Sequence, residues 1–256
     1  MWEKQSTLDD AKKLVAGPAG VEFEKYPLKF AIPAYFGVRP KSGHPATVNS
    51  GTASLVRIGG QPLALTCSHV LEAYRKRLAE GDCIFQVGNC ELDPLAQLKV
   101  EDTKLDYALI AVTEKQVKEV AKPGGPFDGT FFCEPPQWPP GNVKEGDFVA
   151  FGGFPGELRR ATSFDGLSFG SFSSGASRVA SVNDDYLVSQ FEREFWVKHG
   201  HEAEPQTIGG MSGGPVFAIR HSAETGIMTY EFIGHIYEFS KDFELLYVRL
   251  ARALAL

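Results

Sequence analysis

Nowhere in the chain of 256 residues is there an apolar run of the length, about 18 residues, that a helix needs to cross a membrane. No membrane-spanning helix and no membrane partner are expected. The opening stretch Met1-Trp2-Glu3-Lys4-Gln5-Ser6-Thr7 has no apolar signal-peptide core and runs into polar sequence. Cysteine is scarce. Cys67, Cys83, Cys90 and Cys133 fit no zinc spacing, and without a secretory signal they are expected as free thiols. These absences together point to a cytoplasmic protein. Basic blocks are also missing beyond Arg75-Lys76-Arg77 and Arg159-Arg160, in a chain of net charge −6, which argues against nucleic acid as a partner. The three-residue run reads as a solvated helix face. No internal repeat is found, and neither a metal nor a cofactor is expected.

What is present is ordinary for a globular protein: 43% apolar, 12% aromatic and 23% charged residues. Residues 6–16 have the signals of a short helix, with Ser6 or Thr7 as cap, acids in the first turn and Gly17-Pro18 as its stop. Short strand-like runs follow, such as Phe30 to Val38, Thr52 to Ile58 and Pro62 to Thr66, with Gly59-Gly60-Gln61 as a hairpin turn. Ser68 to Ala79 has helical spacing, with Val70, Leu71, Tyr74 and Leu78 on one face. The segments Lys122-Pro123-Gly124-Gly125-Pro126 and Pro135-Pro136-Gln137-Trp138-Pro139-Pro140-Gly141 cannot continue regular structure. They read as a rigid connection, in preference to a ligand for a proline-binding module. Strand-like runs then resume to the C-terminus. The expected organisation is an N-terminal extension over 1–29, a β unit over 30–120, a linker over 121–146 and a second β unit over 147–256. The fold class is all-β.

Three stretches carry chemistry. Gly209-Gly210-Met211-Ser212-Gly213-Gly214-Pro215 surrounds one hydroxyl with glycines. Such a turn can expose the hydroxyl and aim backbone N–H groups at one point, or it can be a hairpin with an incidental serine. Thr66-Cys67-Ser68-His69 places His69 where an apolar strand meets a helical segment, and Asp106-Tyr107-Ala108-Leu109-Ile110 places Asp106 at the mouth of another strand. Alone, each is as well read as a satisfied core histidine or a turn aspartate. Together they are what a serine nucleophile needs: a base within reach, and a carboxylate that fixes the tautomer of the base and stabilises its cation. The chain order His69, Asp106, Ser212 is the chymotrypsin order.

On these motifs the chain resembles the trypsin/chymotrypsin-like serine proteases in their minimal bacterial form. Gly51-Thr52-Ala53-Ser54-Leu55-Val56, Phe151-Gly152-Gly153-Phe154-Pro155-Gly156 and Leu245-Leu246-Tyr247-Val248-Arg249-Leu250 extend the resemblance over residues 30–256. It implies two six-stranded antiparallel β-barrels with few short helices and an active site between them. It also implies catalytic roles for His69, Asp106 and Ser212, and an oxyanion hole from the backbone N–H groups of Gly210 and Ser212. Two departures stand out. Met211 occupies the place of the acid that pairs with a cut N-terminus in zymogen-activated members, so the loop must be held in another way. Val70 stands where a cysteine usually follows the histidine, while Cys67 precedes it as a small core residue in preference to a redox group.

Substrate contacts are expected at Gln206, Thr207, His235 and Tyr237. Gln206, at the pocket-floor position, is not acidic, so cleavage after Lys or Arg is not supported. His235 is one residue out of phase with the histidine that some relatives use to bind acidic or amide side chains. The segment 191–205, with His199, His201, Glu202 and Glu204, reads as a loop shaping the cleft in preference to a metal site. The expected function is an intracellular serine endopeptidase acting on polypeptides, with a protein activator or regulator as a further expectation. The alternatives are a protease-fold binding or sensing protein and an esterase using the same site.

Overall fold

A computed structural model describes residues 17–39, 47–120, 122–163, 166–191, 205–221 and 228–254. The helix expected over 6–16 lies outside these residues, as do His199, His201, Glu202 and Glu204. Gly17-Pro18, expected as the stop of that helix, opens the helix Pro18–Lys25. Proline suits a first helical position because its missing N–H would have no intrahelical acceptor there.

The first half holds seven strands: β1 (Ala31–Gly37), β2 (Val48–Ile58), β3 (Gln61–Thr66), β4 (Ile84–Val87), β5 (Cys90–Leu92), β6 (Leu98–Asp102) and β7 (Tyr107–Ala111). The turn between β2 and β3 is Gly59-Gly60, with φ of 56° and 79°. Two consecutive left-handed residues are what a tight hairpin between twisted strands requires. The strands form one sheet in the order β5-β4-β1-β2-β3-β7-β6. The expectation of a second closed six-stranded barrel is not confirmed for this half, which is an open, half-barrel sheet with β5 and β6 as its edges among the described residues. The helix Glu114–Val120 occupies the gap: Val120 is buried in the core cluster with Cys90 and Leu92, and the Gln116 Oε1 accepts from Gln97 Nε2 at 2.9 Å beside β6. Side-chain packing replaces the last row of backbone hydrogen bonds.

The second half contains β8 (Phe148–Gly153), β9 (Arg159–Ala161), β10 (Leu167–Phe169), β11 (Phe172–Val182), β12 (Tyr186–Gln190), β13 (Pro215–His221), β14 (Met228–Ser240) and β15 (Leu245–Leu250). Here β11-β12-β15-β14-β13-β8 close into a six-stranded barrel, with β9 and β10 as a separate ribbon. Its inward residues, among them Val149, Phe151, Leu187, Val216, Ile236, Leu246 and Val248, form one apolar core. The N-terminal segment straps onto this barrel: Tyr26 stacks on Tyr230 at 4.3 Å and meets Phe217 edge-on at 5.3 Å.

A third cluster lies between the halves, built from Val56, Leu63, Leu65, Tyr107 and Leu109 on one side and Phe217, Phe232 and Leu254 on the other. The two halves thus share a core, and the strand ends carrying the chemical residues converge at its rim.

Candidate active site

His69 is the second residue of the helix Ser68–Ala79, which begins directly after β3 and Cys67. Val70, Leu71 and Tyr74 bury one face of this helix, whereas Leu78 is exposed. Arg75, expected as part of a solvated face, instead makes a bidentate pair with Glu101 on β6, at 2.8 and 2.6 Å. Ser68 Oγ also donates to Glu101 at 2.8 Å. The hydrogen bonds from Arg75, and then from Ser68, hold the Glu101 carboxyl below its usual range against the opposing effect of burial. This pairing ties the histidine helix to the hairpin that carries Asp106.

Asp106 sits between β6 and β7 with φ of 54°, a left-handed conformation that aspartate tolerates better than most residues. The turn aims its carboxylate at His69. Oδ2 lies 2.7 Å from His69 Nδ1, and Oδ1 accepts the His69 backbone N–H at 2.9 Å. Burial pushes the Asp106 carboxyl up. The two hydrogen bonds from His69, with the charges of His69 and His235, outweigh it and bring the net shift below the usual value. With Nδ1 committed to the carboxylate, Nε2 is the nitrogen left to act as a base.

Ser212 comes from the second half and lines one cavity with His69 and Gly210. Its Oγ makes no hydrogen bond to His69 in this state. The loop around it is fully determined. Met211 N–H donates to Ile208 O at 3.0 Å, Gly213 N–H to Ile236 O at 2.7 Å and Gly214 N–H to Met211 O at 2.8 Å. Gly209 O accepts from Gly156 N–H at 2.7 Å. The peptide bond is planar and trans, so the Gly210 N–H points the opposite way from that carbonyl. Among the described residues, the N–H groups of Gly210 and Ser212 have no partner, while their neighbours' are all taken.

Two glycines are needed for this shape. Gly210 has φ of +97°, and a Cβ there would come 2.6 Å from Gly156 N. Gly213 has φ of +93°, and a Cβ there would collide with the Thr52 carbonyl.

The loop is also stitched to the first half by buried hydroxyls on β2 and β3. Thr52 Oγ1 donates to Gly210 O at 2.9 Å and accepts from Phe154 N–H at 3.0 Å. Ser54 Oγ donates to Gly213 O at 2.7 Å, Thr66 Oγ1 to Thr52 O at 2.8 Å, and Thr52 N–H to Ser212 O at 2.9 Å. Thr52, Ser54 and Thr66 are all fully buried. Met211 is fully buried too, in the barrel core, where its side chain lies against Gly153. This packing takes the place of an N-terminal salt bridge.

Cys67, His69 and Asp106 bring a thiol, a ring nitrogen and a carboxylate oxygen within 4.8 Å of one another, the only such group of possible metal ligands among the described residues. Burial, and next the Asp106 charge, push the Cys67 thiol far up, and its Sγ donates to Ile236 O at 3.4 Å. Both Asp106 oxygens are already engaged by His69. The group is better suited to packing than to coordination. All four cysteines are free.

The residues expected to touch substrate are dispersed. Gln206 and Thr207 are exposed beside the serine loop, and Thr207 N–H donates to Glu157 at 3.0 Å. His235 is fully buried, with neither ring nitrogen hydrogen-bonded in good geometry, although the Asp106 carbonyl and carboxylate both act on it electrostatically. Burial first lowers its pKa to about 4, and the charges of Arg249 and His69 act in the same direction. Tyr237 lies under the Arg249 guanidinium at 4.5 Å. None of these four lines the cavity of Ser212.

A serine that lines one cavity with an imidazole–carboxylate pair, beside two amides unpartnered among the described residues, is a set of groups that acyl transfer can use. The family model described as the trypsin-like peptidase domain matches residues 51–226, and the chain belongs to that family. Two solved structures are similar in shape. One is a thermostable serine protease, AL20, from an extremophilic microorganism: 13% identity over 87% of this chain and 91% of the other, TM-score 0.46. The other is a Glu endopeptidase in complex with MPD: 14% identity over 86% and 85%, TM-score 0.43. No curated protein matches the sequence. Among the described residues no helix is long and apolar enough to cross a membrane.

Proposed function

We propose that the chain is a serine endopeptidase that works through an acyl-enzyme on Ser212. Ser212 Oγ attacks the substrate carbonyl as His69 Nε2 takes its proton. Asp106 keeps the other ring nitrogen protonated and stabilises the imidazolium. The N–H groups of Gly210 and Ser212 receive the developing oxyanion. His69 then protonates the leaving amine, and water releases the acyl group by the reverse use of the same residues. Gln206 and Thr207 are the proposed first contacts on the acyl side.

The observation that carries this reading is that, among the described residues, the N–H groups of Gly210 and Ser212 have no partner while those of Gly209, Met211, Gly213 and Gly214 are bonded. It also weighs against a binding or sensing protein, which has no use for two donors unpaired among the described residues and held beside a histidine and a serine. Because the loop is braced by Met211 and Thr52, activity without a protein activator is the expectation. The four free thiols agree with a reducing compartment such as the cytoplasm.

The test is labelling of the purified chain with a fluorophosphonate probe. The wild type should label unaided and Ser212→Ala should not. Labelling of Ser212→Ala at the wild-type rate sinks the assignment, and labelling of wild type only with cell lysate restores the activator. Cleavage of a denatured protein separates a peptidase from an esterase.

A further inference from the structure

The cavity beside Ser212, about 120 Å³, has a wall that the proposed triad does not use. Its apolar side is Phe36, Gly51, Val70 and Ala73. Phe36 is nearly fully buried and braced by Tyr74, edge-on at 5.7 Å, and by Phe85, stacked at 6.0 Å. That wall is rigid. A side-chain carbon at residue 51 would come 3.0 Å from Val70, so glycine lets β2 pack closely against the histidine helix at this wall. Asn49 and Ser50 form the polar side, and Ser50 Oγ accepts from Arg159 at 2.9 Å, a cation outside the lining.

The position of this wall decides which part of a substrate it meets. In acyl transfer the leaving amine takes its proton from the histidine, so the residue bearing that amine must lie against the histidine's side of the cleft. Val70 and Ala73 are on the His69 helix, and Ala73, four residues on, shares its face. The acyl portion is held from the other direction, by the loop of Ser212.

We propose that this cavity seats the side chain of the residue on the leaving-group side of the scissile bond and selects a branched aliphatic one. The proposal rests on the acyl-enzyme reading given above. A sealed apolar cavity of roughly 150 Å³ accommodates benzene, so a space of this size suits valine or leucine better than phenylalanine with its extra methylene or tryptophan. A carboxylate would lose its water against Phe36, Val70 and Ala73 with no Lys or Arg in the lining among the described residues, which is unfavourable.

Amine capture tests this directly. p-Nitrophenyl acetate loads an acetyl group on Ser212 and releases nitrophenol. An amino-acid amide then attacks the acetyl carbon, the bond to Ser212 Oγ breaks, and the amine proton passes through His69 to the serine oxygen. The partition between acetylated amide and acetate reads the leaving-group side alone. Valinamide and leucinamide should capture the acyl group at least about tenfold better than phenylalaninamide or glutamic acid α-amide. Ala73→Leu, which fills the cavity, should lower the valinamide-to-glycinamide ratio about tenfold or more. Val70→Ala, which widens it, should raise the phenylalaninamide-to-valinamide ratio. Equal capture of all amides by the wild type, or an unchanged ratio in Ala73→Leu, overturns the pocket and leaves the acyl-enzyme intact. If no acyl-enzyme forms at Ser212, both readings fall together.

Discussion

The two halves of the molecule hold their parts of the site by different physics. In the open sheet, His69 is aligned by charge. One carboxylate grips its ring and its backbone, and a second carboxylate, Glu101, grips its helix through Arg75. The His69 side chain is still 48% exposed. In the closed barrel, the Ser212 loop is aligned by burial: a core methionine, glycines in tight contact and hydroxyls sealed from water. An open sheet can offer a histidine to solvent and to protons, whereas a closed barrel can fix a backbone to fractions of an ångström. The difference teaches that the His69 ring is left accessible to solvent, whereas the loop of Gly210 and Ser212 is held by buried contacts.

The sharpest way to break that contrast is Asp106→Asn. An amide cannot accept both His69 donors and stabilise an imidazolium, so kcat should fall on the order of 10⁴-fold while fluorophosphonate-free folding, read by circular dichroism, is kept. A loss below tenfold means that the carboxylate is not what aligns the base. Next is Thr52→Val, nearly the same shape without the hydroxyl. It strands Gly210 O and Phe154 N–H in a buried seam, which costs about 1–3 kcal/mol and should lower kcat by roughly tenfold or more as the loop loosens. Thr52→Ser should recover most of both. A Val variant with wild-type kcat and melting temperature shows that packing alone holds the loop.

The smallest effect is in the pH dependence of stability. The folded chain lowers His235 from 6.5 to about 4. Between those values the unfolded chain binds a proton that the folded chain refuses. Stability from this group is therefore intact above pH 6.5 and declines as pH falls toward 4. Asp106, whose pKa is also lowered, adds its loss only further into acid, below the ordinary carboxylate value of 3.8. In His235→Gln the melting temperature should fall less steeply between pH 6.5 and 4. An unchanged slope places the acid sensitivity elsewhere.

Much of this site was legible in the sequence because its requirements are local. A serine among glycines, a histidine at a strand-to-helix junction and an aspartate at a strand mouth each carry their own signature, and their chain order ties them together. The seam was not legible. Thr52, Ser54 and Thr66 look like ordinary strand residues, because a hydroxyl in an apolar run does not reveal which distant carbonyl it meets. Arg75 looked like solvated charge for the same reason: its partner Glu101 is 26 residues away. The open first sheet was missed because barrel closure depends on pairing between strand ends far apart in the chain, and here a helix fills that place. His235 shows the limit of alternation: the pattern placed it off the expected face, but only the fold shows it sealed behind Asp106.

Met211 has one more consequence. A thioether is the side chain most readily turned from apolar to polar by peroxide, and the sulfoxide does not fit a hydrocarbon core. Sealed beside Gly153, this sulfur is out of reach while the barrel stays shut. Oxidant can meet it only when the barrel opens, and the altered residue would then keep the neighbouring amides from re-forming their geometry. The same packing that spares the loop an N-terminal switch makes it a recorder of lapses in the fold, each oxidised molecule being one whose barrel had opened.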